Sequence, residues 1–332
     1  MQYRMLGSTV VRPSEIGFGC GDTAGLMISG TPEQRRDAVK HALDLGINYF
    51  DTAPVYGDTV SEANLGQALR ELGVRPVVAT KVRLVVEDMD NPAAAVARSI
   101  EESLRRLGLD SVDVIHLHNR VAHQRGGNVG SGPLLALDDV LGPRGVLEGL
   151  RKAKEQGKTR AIGLCGFGGA VPCINEAIDS GGFDSILVYF NLLNPTAAMP
   201  APHGFTGTDY GQIMTRAAAK GMGVVVLRIL AGGALTGQTE RHPLAGTRPA
   251  AEYEAELQRA RSLQFLVESG EETMAQAAIR FGLLRPEVST VLVGVSAPEH
   301  LDAAAACSGA TPFPPAAMER LAELHRTTFS GL

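Results

Sequence analysis

An α/β barrel of eight strand–helix units, the (β/α)8 or TIM-barrel class, is the fold this sequence predicts, and three observations predict it. Amphipathic segments repeatedly end in glycine. Those glycines lead into short apolar, β-branched runs. Eight runs of this kind, spaced by helix-length segments, extend along one chain, which argues for a single domain over residues 1–332. Alternating strands and helices imply a parallel sheet, and eight units in this length fit a closed barrel.

The first run is 15–20. Thr31-Pro32-Glu33-Gln34 then has the layout of a capping box with proline at the first helical position. That helix ends at Leu45-Gly46 and opens into run 47–51; Leu72-Gly73 opens into 76–82. Asn91-Pro92 starts a helix whose Val96, Ile100, Leu104 and Leu107 form one apolar stripe. Leu107-Gly108 leads into 112–118, Gln156-Gly157 into 159–165, Gly181-Gly182 into 185–191 and Lys220-Gly221 into 223–229. Pro286 replaces the glycine before the last run, 289–295. Glycine beyond a helix end adopts the left-handed conformation without a Cβ clash. Near-continuous apolar runs suit strands buried on both faces. The rival is an open doubly wound sheet, supported by Gly19-Cys20-Gly21-Asp22-Thr23-Ala24, which superficially matches a dinucleotide fingerprint. There a helix should begin inside the motif, whereas the capping box comes only at Thr31.

Three connections, 119–145, 194–210 and 231–252, are too long for plain linkers and would follow strands. Such loops are usually lids or binding loops, and these fall on the barrel face that carries active sites. Residues 126–133, with Gly126-Gly127 and Gly132-Pro133, are expected to lean over the pocket at little cost to the fold.

Composition excludes several classes. A net charge of −5 with no basic block argues against a nucleic-acid surface. No apolar run is long enough to span a bilayer, and the N-terminus lacks the layout of a secretion signal. Cys20, Cys165, Cys173 and Cys307 form no Cys-x-x-Cys pair, so no zinc ribbon or thioredoxin-type motif is encoded. Scattered thiols suit a reducing compartment, and a cytoplasmic location is expected.

Chemistry gathers at the C-terminal ends of the runs. Asp51 ends the second, with Tyr56 in the loop just after it; Lys81 lies at the end of the third and His118 of the fourth. Consecutive barrel strands are neighbours, so these four groups should meet around one small molecule. Free tyrosine, with a pKa near 10, is a poor acid at neutrality, and a neighbouring ammonium would lower that value towards the working range. Asp51 would hold the lysine charged, and His118 would donate to a carbonyl oxygen. A phenolic acid with an oxyanion-type clamp suits carbonyl reduction by hydride. Without a metal cluster in the sequence, an organic hydride donor is implied.

Asp51-Thr52-Ala53-x-x-Tyr56-Gly57, Lys81 and Val112-Asp113-Val114-Ile115-His116-Leu117-His118 together resemble the signature of the aldo-keto reductase family. The likeness continues through Gly157-Lys158-Thr159-Arg160-Ala161-Ile162-Gly163, Asn191-Leu192-Leu193, Leu230-Ala231-Gly232-Gly233 and 294–301. Tyr3-Arg4-Met5-Leu6-Gly7 is similar to the hairpin that plugs the family's barrel floor. The resemblance implies Asp51, Tyr56, Lys81 and His118 as the catalytic tetrad, with His116 one layer deeper in a supporting role.

For the cofactor, the family's amide-holding positions fall on Cys165, Gly166 and Leu187, which lack strong side-chain donors. Phe190 matches the family's nicotinamide-stacking aromatic. Leu230, Gly232 and Gly233 match the loop that wraps the pyrophosphate, and Gly21 and Arg228 join the implied contacts. Gly294 falls where a lysine often sits, His300 where an arginine often sits, and Ala303 and Ala304 where polar groups grip adenine. Only Ser296 and His300 are left to read a 2′-phosphate, so discrimination should be weak; the family resemblance puts NADP(H) first, with NAD(H) close behind. The function implied is oxidoreduction between an aldehyde, ketone or sugar hemiacetal and the alcohol or lactone. The stretches Leu117-His118-Asn119 and Phe190-Asn191-Leu192-Leu193-Asn194 look most like the sugar-oxidising branches. The alternative is a cofactor-binding regulatory or partner subunit on the same fold. Oligomeric state, substrate and reaction direction are left open.

Overall fold

Strands β1 (Ile16–Gly19), β2 (Tyr49–Asp51), β3 (Val77–Val82), β4 (Val112–Leu117), β5 (Thr159–Cys165), β6 (Ser185–Tyr189), β7 (Gly223–Leu227) and β8 (Val288–Gly294) close into a parallel barrel. The computed structural model describes residues 1–22, 24–128, 132–237, 250–268, 270 and 272–329. Each strand pairs with its neighbours in sequence, and β1 pairs with β8 to close the ring. Alternation along each strand sorts side chains. Tyr49, Ala79, Val114, Ala161, Leu187, Val225 and Leu292 fill the interior. Phe50, Val78, Ile115, Ile162, Ile186 and Val224 face the helical layer.

The helix signals read from sequence act as expected. Thr31 Oγ1 accepts from Gln34 N at 3.2 Å, and Gln34 Oε1 accepts from Thr31 N at 2.8 Å, opening helix Pro32–Asp44. Asn91 Oδ1 accepts from Ala94 N at 3.2 Å to open Pro92–Leu107, whose stripe from Val96 to Leu107 is buried.

The floor is closed by the N-terminal segment, where Tyr3 bridges Ser14 in antiparallel fashion. Leu6 and Val11 from this hairpin enter the inner core. Gly7 makes the turn with φ 57°, and a Cβ there would sit 2.3 Å from Gly221 O, so only glycine fits. Arg4 holds the plug down by pairing with buried Glu15 at 2.8 Å and donating to the carbonyls of Leu283, Arg285 and Val288.

Two expectations need correction. Several strands stop short of the apolar runs: β6 ends at Tyr189 and β7 at Leu227, because the rim backbone turns to make the site. Nor is connection 119–145 a plain lid. Val121–Ala122, Gly126–Asn128 and Pro133–Ala136 form a small three-stranded sheet, followed by helix Leu137–Leu141. Buried Asn119 fastens it, donating to Leu84 O at 2.9 Å and Pro133 O at 3.1 Å. Cutting 126–133 removes ladder and anchor, a larger cost than loop entropy alone. Residues 129–131 of this connection and 238–249 of the third lie outside the described residues.

Candidate active site

Three neighbouring strand ends bring the expected tetrad together. Asp51 is the last residue of β2, Lys81 the next-to-last of β3, and His118 follows β4, its N–H donating to Val82 O at 2.8 Å. The loop carrying Tyr56 and the start of the helix after it are both tied to the loop that follows β1. Ser61 Oγ donates to Cys20 O at 2.9 Å, and Gly57 N donates to Asp22 Oδ1 at 2.8 Å.

Lys81 Nζ donates to Asp51 Oδ1 at 2.5 Å and to Thr52 O at 2.9 Å. It stands 4.8 Å from the centre of the Tyr56 ring. Tyr56 in turn meets the His118 ring edge-on, centroids 5.9 Å apart at 89°. Opposite, Gly21 packs against the Tyr56 ring, where a Cβ would make only ordinary contact at 3.5 Å from Tyr56 Cζ.

Burial and charge set the protonation states. Burial works against the Lys81 ammonium, but Asp51 and Tyr56 outweigh it and hold the lysine above its usual range. Burial also holds the Tyr56 phenol above its ordinary range; Lys81 pulls it back by charge and hydrogen bond, and Asp51 adds to the rise. The net shift is therefore upward, not down into the working range as the sequence reading expected. With only the protein around it, Tyr56 is a protonated acid.

Both histidines are kept neutral. Burial first, then Lys81, pushes His118 well below the usual imidazole range. It can offer a directional N–H but not a full charge. His116 is pushed down to about 3 by burial and Lys81, and its Nε2 lies 3.0 Å from Ser185 Oγ in the barrel interior.

Acid stability follows from His116. Its native pKa lies below the unfolded value of about 6.5, so the unfolded chain binds the extra proton and stability rises with pH in this window. As pH falls from about 6.5 towards 3, His116 alone should remove about 1.4 kcal/mol per pH unit. Chemical denaturation of wild type and His116→Gln across pH 4–6 checks this. The variant should have a lower slope by about one proton; equal slopes would disprove the buried-neutral assignment.

The tetrad borders a cavity of about 1510 Å³ that runs across the barrel mouth to the start of helix Glu299–Ala305. Eight of the eleven expected cofactor contacts line it: Gly21, Leu187, Arg228, Leu230, Gly232, Gly294, Ser296 and His300. Gly232 and Gly233 adopt φ 66° and 105°, presenting backbone that side-chain-bearing residues rarely offer. At the far end Ser296 Oγ and His300 Nδ1 are 3.2 Å apart.

Three expected contacts are misplaced. Phe190 is fully buried in the helical layer, stacked on Phe281 at 5.0 Å. Tyr189, one residue earlier, faces the cavity and stacks on Phe167 at 4.1 Å. Period-two alternation from inward Leu187 leads to 189, not 190, so the signal was available. Gly166 turns outward, where a Cβ would meet Ile186 and Ile213, and Phe167 takes its place in the lining. Cys165 is sealed in the inner core, where burial pushes its thiol up to about 12.

Among the described residues, connection 194–210 contributes nothing to the lining and 119–145 contributes Arg120 alone. Connection 231–252 supplies Gly232, Gly233 and Thr236. Sequence reasoning overlooked Arg83 and Arg120, which line the cavity two residues beyond Lys81 and His118.

The family model for the aldo/keto reductases matches residues 15–326. The chain belongs to that family. It is therefore an oxidoreductase of a family that uses nicotinamide cofactors. It is 30% identical to the L-galactose dehydrogenase of Arabidopsis thaliana over 91% of this chain and 86% of the relative. It is 26% identical to a putative voltage-gated potassium channel subunit beta of Schizosaccharomyces pombe, over 90% of this chain and 86% of that protein. An aldo-keto reductase of Bacillus halodurans, solved in its holo form, superposes with a TM-score of 0.72. It covers 98% of this chain and 99% of its own, at 23% identity, which speaks to the shared barrel. Among the described residues, no helix of this aldo/keto reductase is long and apolar enough to cross a membrane.

Proposed function

We propose that the protein interconverts an aldehyde, ketone or sugar hemiacetal with the corresponding alcohol or lactone, Tyr56 passing the proton. The observation that carries this reading is the buried Asp51–Lys81 pair set against the Tyr56 ring, with neutral His118 edge-on beside it. A substrate carbonyl seated between Tyr56 and His118 receives two hydrogen bonds, which strengthen as charge develops on its oxygen. Tyr56 then delivers its proton, and Lys81 stabilises the phenolate left behind. In the oxidative direction the same phenolate takes the alcohol proton.

A nicotinamide dinucleotide fits the cavity, supplying the hydride when bound. Gly232 and Gly233 offer open backbone to its phosphates, and Arg228, held over the Tyr189 ring at 5.0 Å, offers a cation beside them. NADP(H) is proposed ahead of NAD(H), with Ser296 and His300 reading the 2′-phosphate. On this account His300→Ala should weaken NADPH roughly tenfold, the order of one hydrogen bond to a charged group, and NADH hardly at all. Fluorescence titration of both cofactors checks it; an unchanged affinity ratio would remove His300 from the site.

Similarity to L-galactose dehydrogenase supports a sugar substrate. A panel of aldehydes, ketones and sugars, assayed in both directions with both cofactors, tests the reaction class. Likeness to a channel beta subunit keeps a partner-subunit role as a second reading. That role needs cofactor binding without turnover on any member of the panel.

A further inference from the structure

Aldehyde reduction needs no guanidinium, yet two stand beside His118. Lys81 and Arg83 are two residues apart at the end of β3, and His118 and Arg120 are two apart after β4. Both arginines lie just past the strand ends, in the rim backbone that also carries His118. Both line the cavity.

We propose that Arg120, with Arg83 beside it, forms an anion subsite, so that the substrate is a carbonyl or hydroxyl compound carrying a carboxylate or phosphate. This deepens the proposed function and rests on it. Three further observations support the assignment. The first is location. In the ring order of the barrel, β3 and β4 stand across from β7 and β8, whose loops carry Arg228, Gly232 and His300. Phosphates of a dinucleotide cradled there lie on the opposite wall, so Arg120 serves a different anion.

The second is pairing. Farther out along the cavity, Arg98 is neutralised by Asp88 at 2.7 Å and Arg106 by Glu62 at 2.6 Å. Among the described residues Arg120 makes neither an ion pair nor a side-chain hydrogen bond, although it is half-buried. Its charge is felt locally, since Arg83 and Arg120 both help to push His118 down, behind burial, Lys81 and His116. The third is the bed on which it lies. Gly168, at φ 72°, passes beneath the guanidinium, and a Cβ there would come within 2.5 Å of Arg120 Nε. A planar fork with donors unused suits the two oxygens of a carboxylate or phosphate.

Two matched pairs of probes test this: 4-oxobutanoate against butanal, and glyceraldehyde 3-phosphate against glyceraldehyde. In wild type, kcat/KM should favour the charged member by about tenfold or more in at least one pair, and which pair shows it tells carboxylate from phosphate. Arg120→Gln should collapse that ratio mainly through KM, and Arg120→Lys should restore part of it. Calorimetric titration with succinate and with inorganic phosphate, neither of which has a carbonyl to reduce, reads the subsite independently. Binding of one of them should weaken about tenfold in Arg120→Gln. Turnover with no charge preference, together with anion binding that Arg120→Gln leaves unaltered, overturns the subsite while leaving the oxidoreductase reading intact. Arg120-dependent anion binding without turnover of any probe has the opposite meaning: the subsite stands and the reaction class is wrong.

Discussion

Replacing Lys81 by methionine is expected to cripple the protein twice, in turnover and in stability. Lys81 is 2% exposed and its charge is met by Asp51 at 2.5 Å. Removing one partner of a buried pair strands the other, a loss of about 3–5 kcal/mol. Asp51 can lessen this by taking a proton, so the deficit should shrink as pH falls. The catalytic loss has another origin. Without the ammonium, nothing described opposes the burial that holds Tyr56 high, and the phenolate formed on proton transfer is left unstabilised. The double variant Lys81→Met/Asp51→Asn separates the two. It should regain most of the stability in denaturant titration yet stay as inactive as the single variant. Recovery of turnover along with stability would reduce Lys81 to a structural role.

Tyr56→Phe is expected to be the cleaner lesion. The ring and its edge contact with His118 survive, and no buried charge is exposed. The acid and its hydrogen bond with Lys81 are lost, while the ammonium keeps Asp51 and Thr52 O; a general acid typically contributes 10²–10⁴ in rate. KM and cofactor affinity should change little, because the phenol's largest interaction is made as the substrate oxygen gains charge.

The tetrad and the barrel were legible because they depend on local, periodic signals. Glycine-terminated helices and apolar runs mark the strands, and a polar residue closing such a run has only the rim to occupy. Asp51, Lys81 and His118 follow directly from that. Phe190 was misjudged because a motif match was allowed to override strand parity, which places Tyr189 inward. Gly166 failed because the chain turns where β5 ends, so that Phe167 reaches the cavity; Cys165 does point inward but lies sealed in the inner core. The small sheet after β4 was not readable. Its strands are two to four residues long, and two of them contain no alternating pattern. They persist because Asn119 ties them to the rim.

Single-turnover hydride transfer shows whether Tyr56 is the group that moves the proton. Wild type and Tyr56→Phe, each saturated with the reduced nicotinamide that fluorescence titration shows it to prefer, are mixed with a saturating aldehyde taken from the panel, and the nicotinamide absorbance is followed. Cofactor binding should be equal, and the transfer rate in the variant roughly 10²–10⁴ lower. A variant that binds cofactor normally and transfers hydride at the wild-type rate would rule Tyr56 out of that role.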